Sequence, residues 1–149
     1  MSIEETWPDG LRVLLVEDNP EHAFIALTVI KQVLGDSSEI IVAETADEAV
    51  GLITQFTEQD RPDVILVDLR LPQNGGFAVL SAAHAHEASS HVPMFVITSS
   101  MFDRDIAQSY ELGASAVLCK PLSRAKFKEE LVRVGAISPA TKPPVAGSA

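Results

Sequence analysis

A doubly wound α/β domain, with a five-stranded parallel sheet and five helices on its two faces, is the architecture this sequence predicts. Three observations lead there. Five short apolar runs recur along the 149-residue chain, each of strand length. The runs lack in/out alternation, as do strands covered on both faces. A segment with helical character separates each run from the next, and strand–helix–strand alternation with short connections builds a parallel sheet.

The runs are Arg12–Val16, Glu39–Ala43, Val64–Val67, Met94–Ile97 and Ala116–Cys119. A first helix begins at Pro20, which suits a first helical turn, with Asn19 as its cap. Phe24, Leu27 and the stretch to Leu34 continue it. Thr45-Ala-Asp-Glu48 has the form of a capping box. Ala49, Leu52, Ile53 and Phe56 follow at i, i+3, i+4 and i+7, one apolar stripe. Gly75-Gly76 reads as a turn, with Phe77 and Leu80 in a third helix after it. Ile106, Tyr110 and Leu112 mark a fourth, closed by Gly113. Ser123 caps a fifth, whose Phe127, Leu131 and Val134 face inward. The predicted domain covers residues 11–134, preceded by an extension over 1–10. Residues 135–149 are rich in Pro, Gly, Ala and Ser and are expected to form a flexible tail.

Bulk properties narrow the function. The formal net charge is -10, from 11 basic and 21 acidic residues. A nucleic-acid reader needs a basic face to neutralise phosphates, and the basic cluster here is short (Lys120, Arg124, Lys126, Lys128), so no direct nucleic-acid or membrane binding is expected. No apolar stretch is long enough to span a bilayer. Met1 to Gly10 carries Glu4, Glu5 and Asp9 and lacks the basic start of a secretory signal. The one cysteine, Cys119, excludes an internal disulfide. A cytoplasmic location is expected.

Chemistry collects where the strands end. The first strand runs into Glu17-Asp18, the third into Asp68, the fourth into Thr98-Ser99 and the fifth into Lys120-Pro121. In a parallel sheet these positions share one edge, and in doubly wound folds ligands bind beyond that edge. Neighbouring carboxylates repel by about 4 kcal/mol per close pair at an effective dielectric near 20. Such a cluster persists by protonating or by holding a cation. A few hard carboxylate oxygens suit Mg²⁺, which retains waters and favours phosphate oxygens. An ammonium and a hydroxyl beside an Asp nucleophile are the parts an in-line phosphoryl transfer needs.

The segments VLLVEDN (Val13–Asn19), VILVDLRLPQNGG (Val64–Gly76), FVITSS (Phe95–Ser100) and GASAVLCKP (Gly113–Pro121) resemble the receiver domain of two-component response regulators. The resemblance covers roughly residues 11 to 134, with the motifs in family order and at family-like spacing. It implies the flavodoxin-like fold of that family and a single-domain switch, a signalling receiver with no turnover enzyme activity. By position, Asp68 is the implied phosphoacceptor. Asp18, Asp68 and the backbone carbonyl of Arg70 are the implied ligands of Mg²⁺, with Glu17 acting through water. Thr98, Ser99 and Lys120 are the implied phosphoryl-binding and switch residues, and the bond to Pro121 is expected to be cis. A phosphohistidine on a sensor histidine kinase, or a phosphotransfer protein, is the implied donor. The opening helix from Pro20 to Leu27 and the loop after Lys120 are the implied docking surface. The VEDNP start is similar to small regulators encoded with bacterial phytochromes, which makes a bacterial phytochrome the narrower partner expectation and a homodimer the expected assembly. Val117 stands where the family often has a switch aromatic. Arg70 and Ser100 sit where family side chains modulate hydrolysis, so Arg70 is expected to shield or pair with the phosphoryl group.

Other residues read more plainly. His84, His86 and His91 are expected to be solvated, and His22 to be a surface contact on the docking helix. Cys119 is expected to pack inside a buried strand. An Asp-based phosphatase would need a second acid at the position of Arg70. A partner-binding pseudo-receiver is the other alternative, disfavoured by the intact set Asp18, Asp68, Thr98 and Lys120.

Overall fold

The computed structural model describes residues 10–137. Among them, five strands form one parallel sheet: β1 Arg12–Val16, β2 Glu39–Ala43, β3 Val64–Asp68, β4 Met94–Thr98 and β5 Ala116–Cys119. The α-helices are α1 Pro20–Leu34, α2 Ala46–Ile53, α3 Gly75–Ala85, α4 Asp103–Glu111 and α5 Arg124–Arg133. The strand order is β2-β1-β3-β4-β5. The order reverses between β1 and β3, and a crevice opens there at the carboxyl ends. The predicted doubly wound, flavodoxin-like fold is therefore the observed one. β3 and β4 each run one residue further than their apolar runs, because Asp68 pairs with Ile97 and Thr98 with Cys119 in the ladder.

Alternating strand side chains feed two cores. Val13, Leu15, Leu66, Phe95 and Leu118 pack under α1 and α5. Leu14, Val16, Ile65, Val67 and Val96 pack under α2 and α3. Phe95 meets Phe127 of α5 edge to face, with centroids 6.1 Å apart and planes at 88°. Such a pair is worth about 0.5–1.5 kcal/mol beyond its buried area.

The two edge strands depart from the sequence reading. β2 does alternate, and Ile41 faces outward. Cys119, expected inside a buried strand, is exposed at the end of β5. Both strands have a neighbour on one side only, so coverage by helices is incomplete there.

Capping sets where the helices start. Asn19 Oδ1 accepts the backbone N–H groups of Glu21 and His22, at 2.9 and 3.1 Å. Thr45 accepts from Glu48 N–H. The reciprocal half of the capping box goes elsewhere, since the Glu48 carboxylate accepts from Glu44 N–H rather than from Thr45. Ser123 Oγ caps α5 through Lys126 N–H. Gly75 and Gly76 are not a separate turn but the first residues of α3. The turn lies just before them, where Gln73 and Asn74 take left-handed φ of 58°. Gly113, with φ 107°, does follow the end of α4.

The predicted tail boundary is corrected at its start. Ile137 is buried in the α1/α5 core and Ala136 N–H bonds to Leu131 O, so packed chain continues past 134. The rest of the tail and the extension over 1–9 lie outside the described residues. No helix among the described residues is long and apolar enough to cross a membrane.

Candidate functional site

Register brings the strand-end residues together. Val16 of β1 pairs with Val67, so Glu17 emerges beside Asp68. Asp68 pairs with Ile97, and Thr98 pairs with Cys119, so Lys120 emerges on the far side of Thr98. Every step is one residue along a parallel ladder, and the polar groups rise together from one edge.

The acids form a single cluster. Carboxylate oxygens of Glu17, Asp18 and Asp68 all lie within 4.8 Å of one another. Glu17 and Asp68 are buried, whereas Asp18 is exposed. Lys120 Nζ reaches in to Glu17 Oε1 at 2.6 Å and to Asp68 Oδ2 at 3.3 Å. The other Asp68 oxygen, Oδ1, accepts the backbone N–H of Arg70 at 3.0 Å. Burial pushes the Glu17 carboxyl up to about 7, and the neighbouring Asp68 adds to the rise. Hydrogen bonding to Lys120 offsets part of this. A buried acid pair that shares one ammonium and faces an exposed third acid is short of positive charge. Three hard oxygen donors, one of them open to solvent, fit a hydrated Mg²⁺.

Of the remaining predicted residues, Thr98 is fully buried and is held in a tight turn rather than against Asp68. Its hydroxyl donates to Ser100 O at 3.1 Å and accepts from Ser100 N–H at 3.0 Å. Ser99 is exposed and lines a 290 Å³ cavity with Glu17, His22, Ile25, Lys120 and Pro121. The Lys120–Pro121 bond is cis. Gly76 keeps the acceptor strand close to α3: a Cβ there would lie 2.7 Å from Leu69 O and 2.8 Å from Asp68 O.

Two contacts lay outside the sequence reading. The Arg70 guanidinium, expected over the acceptor, instead donates to Ser100 Oγ at 2.7 Å and to Asp105 Oδ2 of α4 at 2.9 Å. Nothing in the sequence pairs a loop arginine with an acid on a later helix. His22 is exposed as expected, but its Nδ1 also lies 2.9 Å from Lys120 Nζ. That contact had a faint signal, because the first turn of α1 rises from the same sheet edge as Asp18. His84 and His91 are exposed, and His86 Nε2 meets Phe56 O at 2.9 Å. Among the described residues the acid trio is the one cluster of metal-binding type. Val117 lines a second cavity of about 410 Å³ with Met101, Cys119, Lys120 and Lys126.

Comparison with known proteins agrees with this arrangement. Residues 13–132 match the response regulator receiver domain. The response regulator Rcp1 of Synechocystis is 32% identical over 111 residues, covering 72% of this chain and 75% of Rcp1. The structure of the bacteriophytochrome response regulator AtBRR is 31% identical and superposes with a TM-score of 0.71, covering 86% of this chain and 94% of that one. The receiver domain of the sensor histidine kinase PA1611 from Pseudomonas aeruginosa, 28% identical with a TM-score of 0.71, covers 85% of this chain and 98% of its own and has a magnesium ion coordinated in its active-site cleft. With its five-strand order, its acid trio and its strand-end lysine, the chain belongs to the response regulator receiver domain family of two-component phosphorelay signalling.

Proposed function

We propose that this protein is a single-domain response regulator that accepts a phosphoryl group on Asp68 and changes its partner or dimer contacts as a result. One observation carries the reading. A buried aspartate at the end of a central strand has an ammonium 3.3 Å from one oxygen and two further acids within 4.8 Å. That combination makes a nucleophile with charge compensation on one side and a cation site on the other.

In this reading the donor is a phosphohistidine of a sensor histidine kinase or phosphotransfer protein. An Asp68 carboxylate oxygen bonds to phosphorus as the phosphorus–nitrogen bond to the imidazole breaks, and the imidazole nitrogen regains a proton. Asp18 and Asp68, with the Arg70 carbonyl and with Glu17 through water, would hold Mg²⁺, which supplies charge neutralisation to the phosphoryl oxygens. Lys120 pairs with one phosphoryl oxygen. Ser99 leaves room for the group. Thr98 exchanges its bonds to Ser100 for one to the phosphoryl oxygen, which loosens the loop that Arg70 ties to Asp105. The likeness to a bacteriophytochrome response regulator makes a phytochrome-type kinase in the cytoplasm the first partner to test. Exposed Met101, Phe102 and Tyr110 make α4 and the residues just before it the first dimer surface to test.

Incubation with acetyl phosphate and Mg²⁺, read by phosphate-affinity gel, is expected to shift the wild type and leave Asp68→Asn unshifted. An unshifted, folded wild type refutes the reading. Light scattering after size-exclusion chromatography, with and without a beryllofluoride phosphoryl mimic, reports the assembly and its switch.

A further inference from the structure

His22 is not among the residues proposed above to hold the metal or the phosphoryl group, yet it touches the group on which that chemistry depends. An ammonium carries three N–H donors and no acceptor. Lys120 donates to Glu17 Oε1 at 2.6 Å, meets His22 Nδ1 at 2.9 Å and faces Asp68 Oδ2 as an ion pair at 3.3 Å. Lys120 has no acceptor of its own, so in this contact Nδ1 is the accepting atom. The three partners of Lys120 differ in one respect. Glu17 and Asp68 are both wanted elsewhere in the proposed reaction, and His22 has no competing duty.

The imidazole is also delivered from a fixed element. His22 lies in the first turn of α1, where Asn19 Oδ1 accepts its backbone N–H at 3.1 Å. Ala26, Val29 and Ile30 anchor the same helix in the core. Lys120 reaches the site through a long side chain with several free rotamers. A neutral acceptor on a rigid helix restricts that side chain without cancelling its charge.

We propose that His22 is a positioning residue for Lys120, keeping the ammonium aimed at the Asp68 phosphoryl position when Glu17 turns towards the metal. This inference rests on the receiver reading above. His22 acts through Lys120 and does not contact the reacting atoms.

Acetyl phosphate separates this role from partner docking, because no protein donor is present. Initial rates of phosphorylation would be measured in the full chain for the wild type, His22→Leu and His22→Asn at varied acetyl phosphate and Mg²⁺. Asparagine can offer an amide oxygen near the position of Nδ1; leucine offers no acceptor. His22→Leu is expected to lower the maximal rate about fivefold, the worth of one net hydrogen bond. The Mg²⁺ concentration for half-maximal rate should stay unchanged, and His22→Asn should recover most of the loss. Equal rates for His22→Leu and wild type overturn the inference and leave the receiver reading standing. An asparagine variant as slow as the leucine variant overturns it too. A folded wild type that takes no phosphoryl group overturns both.

Discussion

Lys120 Nζ lies 2.6 Å from Glu17 Oε1, so the buried acid beside the acceptor shares its cation with the acceptor itself. Glu17 is pushed up to about 7 in spite of that partner, first by burial and then by Asp68. An acid raised in the fold above its ordinary 4.5 binds protons better folded than unfolded. Its effect on stability is neutral below about 4.5 and turns unfavourable as pH climbs towards about 7, levelling off above that. In metal-free protein, Glu17→Gln should match the wild type near pH 5 and exceed it near pH 8, by about 1–2 kcal/mol. Urea unfolding in the presence of a chelator at the two pH values measures this. A difference that does not change with pH would contradict it.

Removing the shared cation tests the other side of the same contact. Lys120→Met keeps much of the chain's volume and leaves Asp68 facing an incoming phosphoryl group without an ammonium. Loss of one preorganised charge-stabilising donor costs on the order of 100-fold in rate. The acetyl phosphate reaction of Lys120→Met should slow by about that factor, while Asp68→Asn should not react. Wild-type rates in the methionine variant would remove Lys120 from the proposed chemistry.

Most of the fold was legible because the buried strands carry apolar runs that a parallel sheet requires, and the site was legible because each run ends in a polar residue. Register does the rest: once β1, β3, β4 and β5 are parallel neighbours, Glu17, Asp68, Thr98 and Lys120 have to share an edge. Edges were less legible. Cys119 sits in the same kind of apolar run as Ile97, but it ends the edge strand β5 and is exposed there. The contacts of the Arg70 side chain were not legible. Arg70 could have bent towards the acceptor, but Ser100 and Asp105 hold its guanidinium, a choice set by loop geometry and not by spacing. Gly75-Gly76 was misassigned because a glycine pair marks turns by propensity, whereas here close packing requires it.

That packing makes a definite prediction at Gly76. A methyl group there would sit 2.7 Å from Leu69 O and 2.8 Å from Asp68 O, both backbone atoms that cannot rotate away. Gly76→Ala in a helix would ordinarily stabilise by up to about 1 kcal/mol. Here the clash must move the strand end that carries the acceptor, so the variant should instead lose about 2 kcal/mol or more and phosphorylate more slowly. Gly51→Ala is the control, because nothing lies within 4 Å of the added carbon at its exposed position in α2. Thermal or urea unfolding of the pair should give changes of opposite sign.

The Arg70 tie makes a prediction in which stability and signalling separate. The guanidinium is half exposed, and it bridges the acceptor loop to Ser100 and to Asp105 in the first turn of α4. An exposed ion pair contributes at most about 1 kcal/mol, so Arg70→Ala should leave global stability nearly unchanged. Its local effect should be larger, since α4 has no side-chain cap at Phe102 and buries only Ser109 fully. Backbone amides at the start of α4 should exchange hydrogen faster in the alanine variant. Ser100, released from Arg70, is the residue whose backbone holds the Thr98 hydroxyl. Loosening it should give water easier access to phosphorylated Asp68 and shorten the lifetime of the phosphoryl group about threefold, the worth of one screened ion pair. Dephosphorylation followed after removal of the donor measures that lifetime. Equal lifetimes with unchanged α4 exchange would show that the bridge is only a surface contact. Asp105→Asn, which weakens the same bridge from its other end, should reproduce the alanine variant if the bridge, rather than the arginine charge over the acceptor, sets the lifetime.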